Sequence, residues 1–586
     1  MQKLPVGLSD FKRMIEDNYY YVDKSLLLKE LIDQGAVAML IPRPRRFGKT
    51  LNLSMMRHFY EKTEADTSHL FRHLKIWQAG EEYTSKQGKY PVIFLTFKDV
   101  KEQNWKSALA KIKALIQAEF LRHDYLRAEE NLKADELNYF KAITRLTNDQ
   151  SAFEDSIKNL CLYLARAHGQ KVILLIDEYD TPIQAGYVNG YYDEIVSFMR
   201  NFLSGGLKDN SALEKGVLTG IMRVAKESIF SGLNNLEVFT ILSHDFSDKF
   251  GLTEDEVRRL LESFDLQGNY NEVRDWYNGY QFSDHTIYNP WSIINYANKP
   301  RDGFKPYWVN TADNVIVERL LTNAGRELKE ELESLIRGGS VEKPIEENIV
   351  FKQIERREDL LWSFLLFGGY LKSLSSRQEE NTEKLYCRLA VPNREVRKVY
   401  VEVVEHWLVE KFADRKLHLM LAAFTNGDTP RFELLLREMV AQIFSCHNLG
   451  KESEKVYHAF VIGLLVWLGN RYEIKSDRES GYGRYDVMLI PRDLQAAGII
   501  IEFKKINAAH RETKERALAK AFQQIEEKNY AAELQQRGIQ HIRKLAIAFK
   551  GKQVWVKEQS AEGEGQGARG RGRRAKSKSQ STKNKS

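Results

Sequence analysis

Cysteine is scarce in this chain. Three occur in 586 residues, Cys161, Cys387 and Cys446, so far apart that they suggest no zinc site and no redox pair. That usage points to a reducing compartment. Long hydrophobic runs are also missing. The longest apolar stretch, Phe460 to Leu468, falls well short of the roughly 20 residues a membrane helix needs. The first twenty residues carry charges throughout and have no apolar core, so no secretory leader is expected there. These absences set the expectation of a soluble, cytoplasmic protein with no membrane partner. An excess of positive charge is missing from most of the chain as well. The net charge is +7, but from Ser560 onward eight Lys and Arg stand against two Glu, which leaves only +1 for residues 1–559. That tail has no apolar residue larger than alanine, so it cannot bury a core and is expected to be disordered. Its Arg-Gly-Arg-Gly-Arg-Arg run suits either electrostatic binding of nucleic acid or a solubilising role.

What is present is ample for folding. The apolar fraction is 43%, and the length predicts three or four domains. Near the start, Pro42-Arg43-Pro44-Arg45-Arg46-Phe47-Gly48-Lys49-Thr50 ends as a phosphate-binding loop ends. Gly48 lets backbone approach phosphate, Lys49 reaches the terminal phosphates, and the Thr50 hydroxyl holds Mg²⁺. The first glycine of the usual loop is absent, and Arg43 stands in its place. Two prolines and three arginines make a stiffer, more cationic cradle. The context is right for the motif: an apolar run, Ala36 to Ile41, precedes it, and Leu51, Met55 and Phe59 follow at helical spacing.

Further on, Val172 to Ile176 is an apolar run leading into Asp177-Glu178-Tyr179-Asp180. A buried strand of this kind delivers Asp177 to Mg²⁺ and leaves Glu178 to orient or deprotonate an attacking water. The strand Gly216 to Gly220 would present Thr219 as a polar sensor of the γ-phosphate, and Arg223 or Lys226 would stabilise transferred charge. With Tyr90 to Phe97 as another strand and helices over 104–122 and 153–168, the pattern is an α/β parallel sheet.

The pairing of Arg-Pro-Arg-Arg-Phe-Gly-Lys-Thr with Leu-Ile-Asp-Glu-Tyr-Asp-Thr-Pro resembles the bacterial AAA-ATPase-like family, whose members often carry a C-terminal PD-(D/E)xK-type nuclease domain. The likeness extends through Tyr21-Val22-Asp23-Lys24, residues 225–235, Trp276-Tyr277-Asn278-Gly279-Tyr280 and Tyr288-Asn289-Pro290-Trp291-Ser292, over about residues 4–555. The resemblance implies that a loop without the first glycine is the family's own form, so Arg43, Arg45, Arg46 and Phe47 join the ATP-binding set as phosphate contacts or structural clamps. It also implies a helical lid, including Tyr307 to Asn310, and it leaves a homo-oligomer open.

From about 250 to 440 the sequence reads as mostly helical, with a capped start at Thr253 to Glu256 and an aromatic cluster over 276–291 read as core or lid packing. The last folded segment holds a second constellation. Asp486 sits in a strand after a glycine turn, and Gly498-Ile499-Ile500-Ile501-Glu502-Phe503-Lys504 forms the next. Residues two apart in a strand share a face, so Glu502 and Lys504 point together while Ile501 and Phe503 face the core. Paired antiparallel strands bring Asp486 beside Glu502, where the carboxylates bind Mg²⁺ and Lys504 positions the nucleophile. This Asp…Glu-x-Lys core resembles PD-(D/E)xK nucleases. Glu454, near the start of a helix over 452–468, is a candidate third metal ligand, and Gln524 and Lys528 on a helix over 511–530 face back to the site. A closing strand, Lys544 to Phe549, follows.

The expected architecture is thus an α/β P-loop NTPase domain (1–240), a mainly helical lid region (241–440), an α/β restriction-endonuclease-like domain (441–558) and a disordered basic tail (559–586). The expected activity is ATP binding and hydrolysis coupled to Mg²⁺-dependent cleavage of nucleic acid, DNA before RNA. The rival reading is a regulatory or scaffold ATPase whose C-terminal domain binds nucleic acid or protein without cutting.

Overall fold

The computed structural model describes residues 2–128, 131–224, 235–308, 315–322, 326–336, 338–354, 357–411, 414–443, 467–469, 471–480, 483–506, 512–550 and 553–561. Glu454, Lys226, Cys446, Val309, Asn310 and residues 562–586 therefore lie outside the described residues. The chain divides into two compact units, residues 1–403 and 404–586. Most of the region expected to be a separate lid belongs to the same unit as the P-loop.

The first unit is built on a parallel sheet. Its strands are β1 (Ala38–Pro42), β2 (Val92–Thr96), β3 (Val172–Asp177) and β4 (Leu213–Gly220), in the order β2-β3-β4-β1, with Leu236–Val238 on the far side of β1. Every residue of β1 and β3 is buried, as continuous apolar runs covered on both faces require. Helices Trp105–Arg122, Ser156–His168 and Tyr192–Leu207 bury their apolar stripes (Ile112, Ile116 and Phe120 in the first, Leu160 and Leu164 in the second, Phe198 and Phe202 in the third). The register decides the chemistry. Ile41 pairs with Thr219, Ile176 with Leu218 and Thr96 with Asp177, so three polar strand ends stand level beside the loop that follows β1.

The middle region is less helical than expected. It contains two three-stranded antiparallel sheets: one of Leu252–Thr253, His285–Tyr288 and Tyr280–Phe282, the other of Val341–Ile345, Leu385–Ala390 and Lys372–Gln378. Helix Glu254–Ser263 starts as expected, with a reciprocal Thr253–Glu256 capping box. The aromatic cluster is core. Tyr296 stacks on Phe304 at 4.5 Å, and Tyr277 is fully buried among them.

The second unit carries a five-stranded mixed sheet ordered Tyr472–Ser480, Gly483–Pro491, Gly498–Lys505, Ile542–Lys550 and Gln553–Ala561. All neighbours are antiparallel except Gly498–Lys505 with Ile542–Lys550. Helix Lys514–Glu527 makes that crossover and buries Ala517, Ala521, Phe522 and Ile525 against Ile500, Ala546 and Ala548. The last strand was not anticipated, and it takes in residues 559–561 of the expected tail.

Candidate active sites

Gly48 caps helix Lys49–Tyr60 at φ 84°, a left-handed turn that glycine adopts without steric cost. Lys49 is buried. Its Nζ donates to the carbonyl oxygens of Arg43 and Pro44, both at 3.0 Å, which curls the loop around the amine. Burial pushes the Lys49 pKa down, and Glu178, Asp177 and Asp180 oppose that.

Three hydroxyls converge on fully buried Asp177. Thr50 Oγ1 donates to Oδ2 at 2.7 Å, Thr96 Oγ1 to the same oxygen at 3.3 Å, and Thr219 Oγ1 to Oδ1 at 2.8 Å. Burial, with Glu178 adding to it, raises the Asp177 pKa. The oxygen set of Thr50 and Asp177 suits Mg²⁺, a hard cation that prefers oxygen ligands. Glu178 sits at φ 51° and accepts from Thr181 Oγ1 at 3.1 Å. Asp180 was not singled out from the sequence, although Thr181-Pro182 after it is a helix-start signal. It is fully buried, accepts from the N–H groups of Ile221 and Met222 and from Gln184, and burial pushes its pKa up to about 6. Gly220 makes this approach feasible, because a Cβ there would stand 2.7 Å from Asp180 Oδ1. Arg223 is half-buried in the short strand Arg223–Val224, and the N–H of Val224 donates to Tyr179 Oη.

The three loop arginines have three different environments. Arg43 is fully buried. Its guanidinium donates to the carbonyls of Pro42 (2.8 Å), Phe239 (2.7 Å) and Phe246 (3.0 Å) and lies over the rings of Phe250 and Phe282. Of the two roles left open by the sequence, Arg43 has the structural clamp rather than the phosphate contact. Burial without a counter-ion pushes its pKa down to about 9. Arg43→Gly would take the guanidinium away from three carbonyls, of which that of Phe246 keeps the Lys249 N–H, so we expect a stability loss of about 3 kcal/mol, read as a lower urea midpoint at unchanged slope. Arg45 reaches Gln184 Oε1 at 3.3 Å, and its carbonyl accepts from Trp308 Nε1 at 3.1 Å. Arg46 lies 4.3 Å over the ring of Trp291. Phe47 lines a cleft together with Gly48 and Leu51. It is fully buried against Tyr280 and Phe282, and its carbonyl accepts from the Gly251 N–H.

Glu395 ties this frame together and gave no signal in the sequence. Its fully buried carboxyl accepts from Ser292 Oγ at 2.8 Å and from the Trp308 N–H at 2.5 Å, and burial pushes its pKa up to about 7. A carboxyl raised in the fold binds more protons folded than unfolded between about pH 4.5 and 7. Its contribution is fully present below that window and is lost as the pH rises through it. Glu395→Gln should therefore melt higher than wild type at pH 8, by on the order of 3 kcal/mol, with the gap closing towards pH 4. A gap that does not change with pH would refute this.

In the second unit, antiparallel pairing of Val487 with Ile501 sets Asp486 beside Glu502, and Asp486 Oδ2 accepts the Phe503 N–H at 2.7 Å. Glu502 has a side chain 1% exposed. Lys504 Nζ donates to Glu502 Oε1 at 2.8 Å and to Gln524 Oε1 at 2.6 Å, and Gln524 Nε2 donates to buried Tyr530 Oη at 3.2 Å. Glu502 Oε2 is buried with no hydrogen-bond partner among the described residues. Burial and Asp486 push the Glu502 pKa up to about 7. An orphaned carboxylate oxygen beside a second carboxylate fits a divalent cation. Gln524 faces the site as expected, and Lys528 is exposed at the C-cap of the helix, which ends at Glu527. Tyr530 was missed because it lies beyond the helical repeat. Among the described residues no three His, Cys, Asp or Glu side chains form a metal cluster, and no helix is long and apolar enough to cross a membrane.

Residues 5–230 match the family described as predicted AAA-ATPase, and residues 452–559 match the PD-(D/E)XK nuclease superfamily. The AAA-ATPase-like match thus precedes the PD-(D/E)XK match along the chain. The chain is also 27% identical over 551 residues to a protein of Azotobacter chroococcum mcd 1 named "Uncharacterized protein in vnfD 5'region", across 92% of this chain and 94% of that one.

Proposed function

We propose that this protein binds and hydrolyses ATP and couples that cycle to a Mg²⁺-dependent nuclease domain acting on nucleic acid, DNA before RNA. The observation that carries the reading is the convergence of Thr50, Thr96 and Thr219 on Asp177 beside buried Lys49. Phosphates would lie on the N–H groups at the start of helix Lys49–Tyr60, where the helix dipole favours anions. Lys49 exchanges its two carbonyl partners for phosphate oxygens. The base would lie against the shallow cleft lined by Tyr20, Tyr21, Val22, Leu51, Pro290 and Ile294. Thr50 and Asp177 would hold Mg²⁺, and Glu178 takes a proton from the attacking water. In the second unit Asp486 and Glu502 would hold the metal, which when bound lowers the pKa of a water and offsets charge on the phosphodiester. Lys504, steered by Gln524, orients that water.

The test uses the full chain. ATP turnover is measured directly, and plasmid is incubated with Mg²⁺ or Mn²⁺, with and without ATP. If wild type and Glu502→Ala leave the DNA equally intact under every condition, the nuclease half is wrong and a regulatory or scaffold ATPase stands. Undetectable ATP binding removes the ATPase half.

A further inference from the structure

Arg46 has a different setting from the other loop arginines. Arg43 is consumed by three carbonyls, and Arg45 is engaged by Gln184 and, through its carbonyl, by Trp308. Arg46 is exposed at the loop rim, with its guanidinium lying on the Trp291 ring. Its backbone is left-handed at φ 68°, and Glu178, the water-activating acid, is left-handed at φ 51°. A non-glycine residue in this region costs about 1–2 kcal/mol and persists only where its surroundings impose it, most often at active sites. Two such residues of opposite charge stand in one site, where the Glu178 carboxylate favours the charged form of Arg46.

The platform under Arg46 is fixed from several sides. The Trp291 N–H donates to Asn289 Oδ1 at 2.9 Å, and its indole Nε1 donates to the Tyr307 carbonyl at 3.1 Å. The next residue, Ser292, is tied to Glu395. The ring is therefore held in place beneath the guanidinium. A cation–π contact at such a site is worth roughly 1 kcal/mol, enough to bias the guanidinium without trapping it.

We propose that Arg46 is the cation that acts on the terminal phosphoryl group of ATP within the same chain, and that Trp291 is its positioning residue. This role rests on the ATPase reading above. In the reaction a water oxygen bonds to the γ-phosphorus, the bond from that phosphorus to the β,γ-bridging oxygen breaks, and its electron pair leaves with ADP. Glu178 takes the proton of the water. Negative charge grows on the oxygens of the transferred group, where a planar guanidinium offers two parallel donors. The contact concerns a phosphoryl group that ADP lacks.

The experiment compares Arg46→Ala, Arg46→Lys, Trp291→Leu and Trp291→Phe in the full chain. Steady-state ATP hydrolysis is read together with calorimetric affinities for ATP and ADP. Arg46→Ala is expected to lower kcat by about 10²-fold or more, while ADP affinity stays within about threefold. Arg46→Lys keeps the charge without the fork and recovers part of the loss. Trp291→Leu lowers kcat about tenfold with KM nearly unchanged, and Trp291→Phe, which retains a ring, recovers most of it. Equal losses in Trp291→Leu and Trp291→Phe, or an Arg46→Ala effect that falls on ADP affinity as much as on kcat, would overturn the role. A wild type that binds ATP and never turns it over removes hydrolysis itself, a result distinct from any variant outcome.

Discussion

Lys49→Ala is expected to lower ATP turnover by about 10²- to 10³-fold, the loss typical when a preorganised donor to developing charge is removed. The amine sits at the first turn of helix Lys49–Tyr60 with Asp177, Glu178 and Asp180 in its field. It is already desolvated and aimed at two loop carbonyls, so transfer to phosphate oxygens requires little reorganisation. The substitution also leaves those carbonyls without their donor, at about 1–3 kcal/mol of stability. Circular dichroism and a urea titration therefore accompany the turnover assay, so that loss of fold is separated from loss of chemistry. A folded Lys49→Ala that hydrolyses ATP at the wild-type rate would sink the P-loop assignment.

Glu502→Gln is expected to reduce metal-dependent cleavage by about a thousandfold, since metal charge stabilisation is worth several kcal/mol in phosphodiester chemistry. Glutamine keeps an oxygen for Lys504 and the shape of the strand, but it removes the negative charge opposite Asp486. The same change should make the metal-free protein more stable, because a buried carboxylate with one orphaned oxygen and a like-charged neighbour is costly to hold. The check is a pair of melting curves with and without Mn²⁺. Wild type gains stability from the ion and Glu502→Gln does not, while its metal-free curve lies higher. If the variant cuts plasmid as wild type does, Glu502 is not part of a cleavage site.

Much of this arrangement was legible in the residues. An uninterrupted apolar run ending in Asp177 marked β3, and shorter apolar stretches marked β1 and the buried end of β4, because a strand covered on both faces has little room for anything else. Period-two alternation put Glu502 and Lys504 on one face, and they are 2.8 Å apart. The short strands of the middle region were not legible. Segments of two to seven residues such as Leu252–Thr253 and Lys372–Gln378 carry too few turns of any period to be told from loops, and only their partners make them strands.

The order of the motifs and the residue types of the loop and of the two carboxylate pairs were set by the sequence alone. The division of labour among the arginines was decided only by tertiary structure. Arg43, Arg45 and Arg46 are neighbours in one basic run. Phe239 and Phe246, Trp308, and Trp291 meet them from nearly 200 to more than 260 positions away. Burial and partner geometry make the first a clamp, and they leave the third on a ring beside Glu178. Glu395 gained its near-neutral pKa in the same way, through desolvation that only the packed chain imposes.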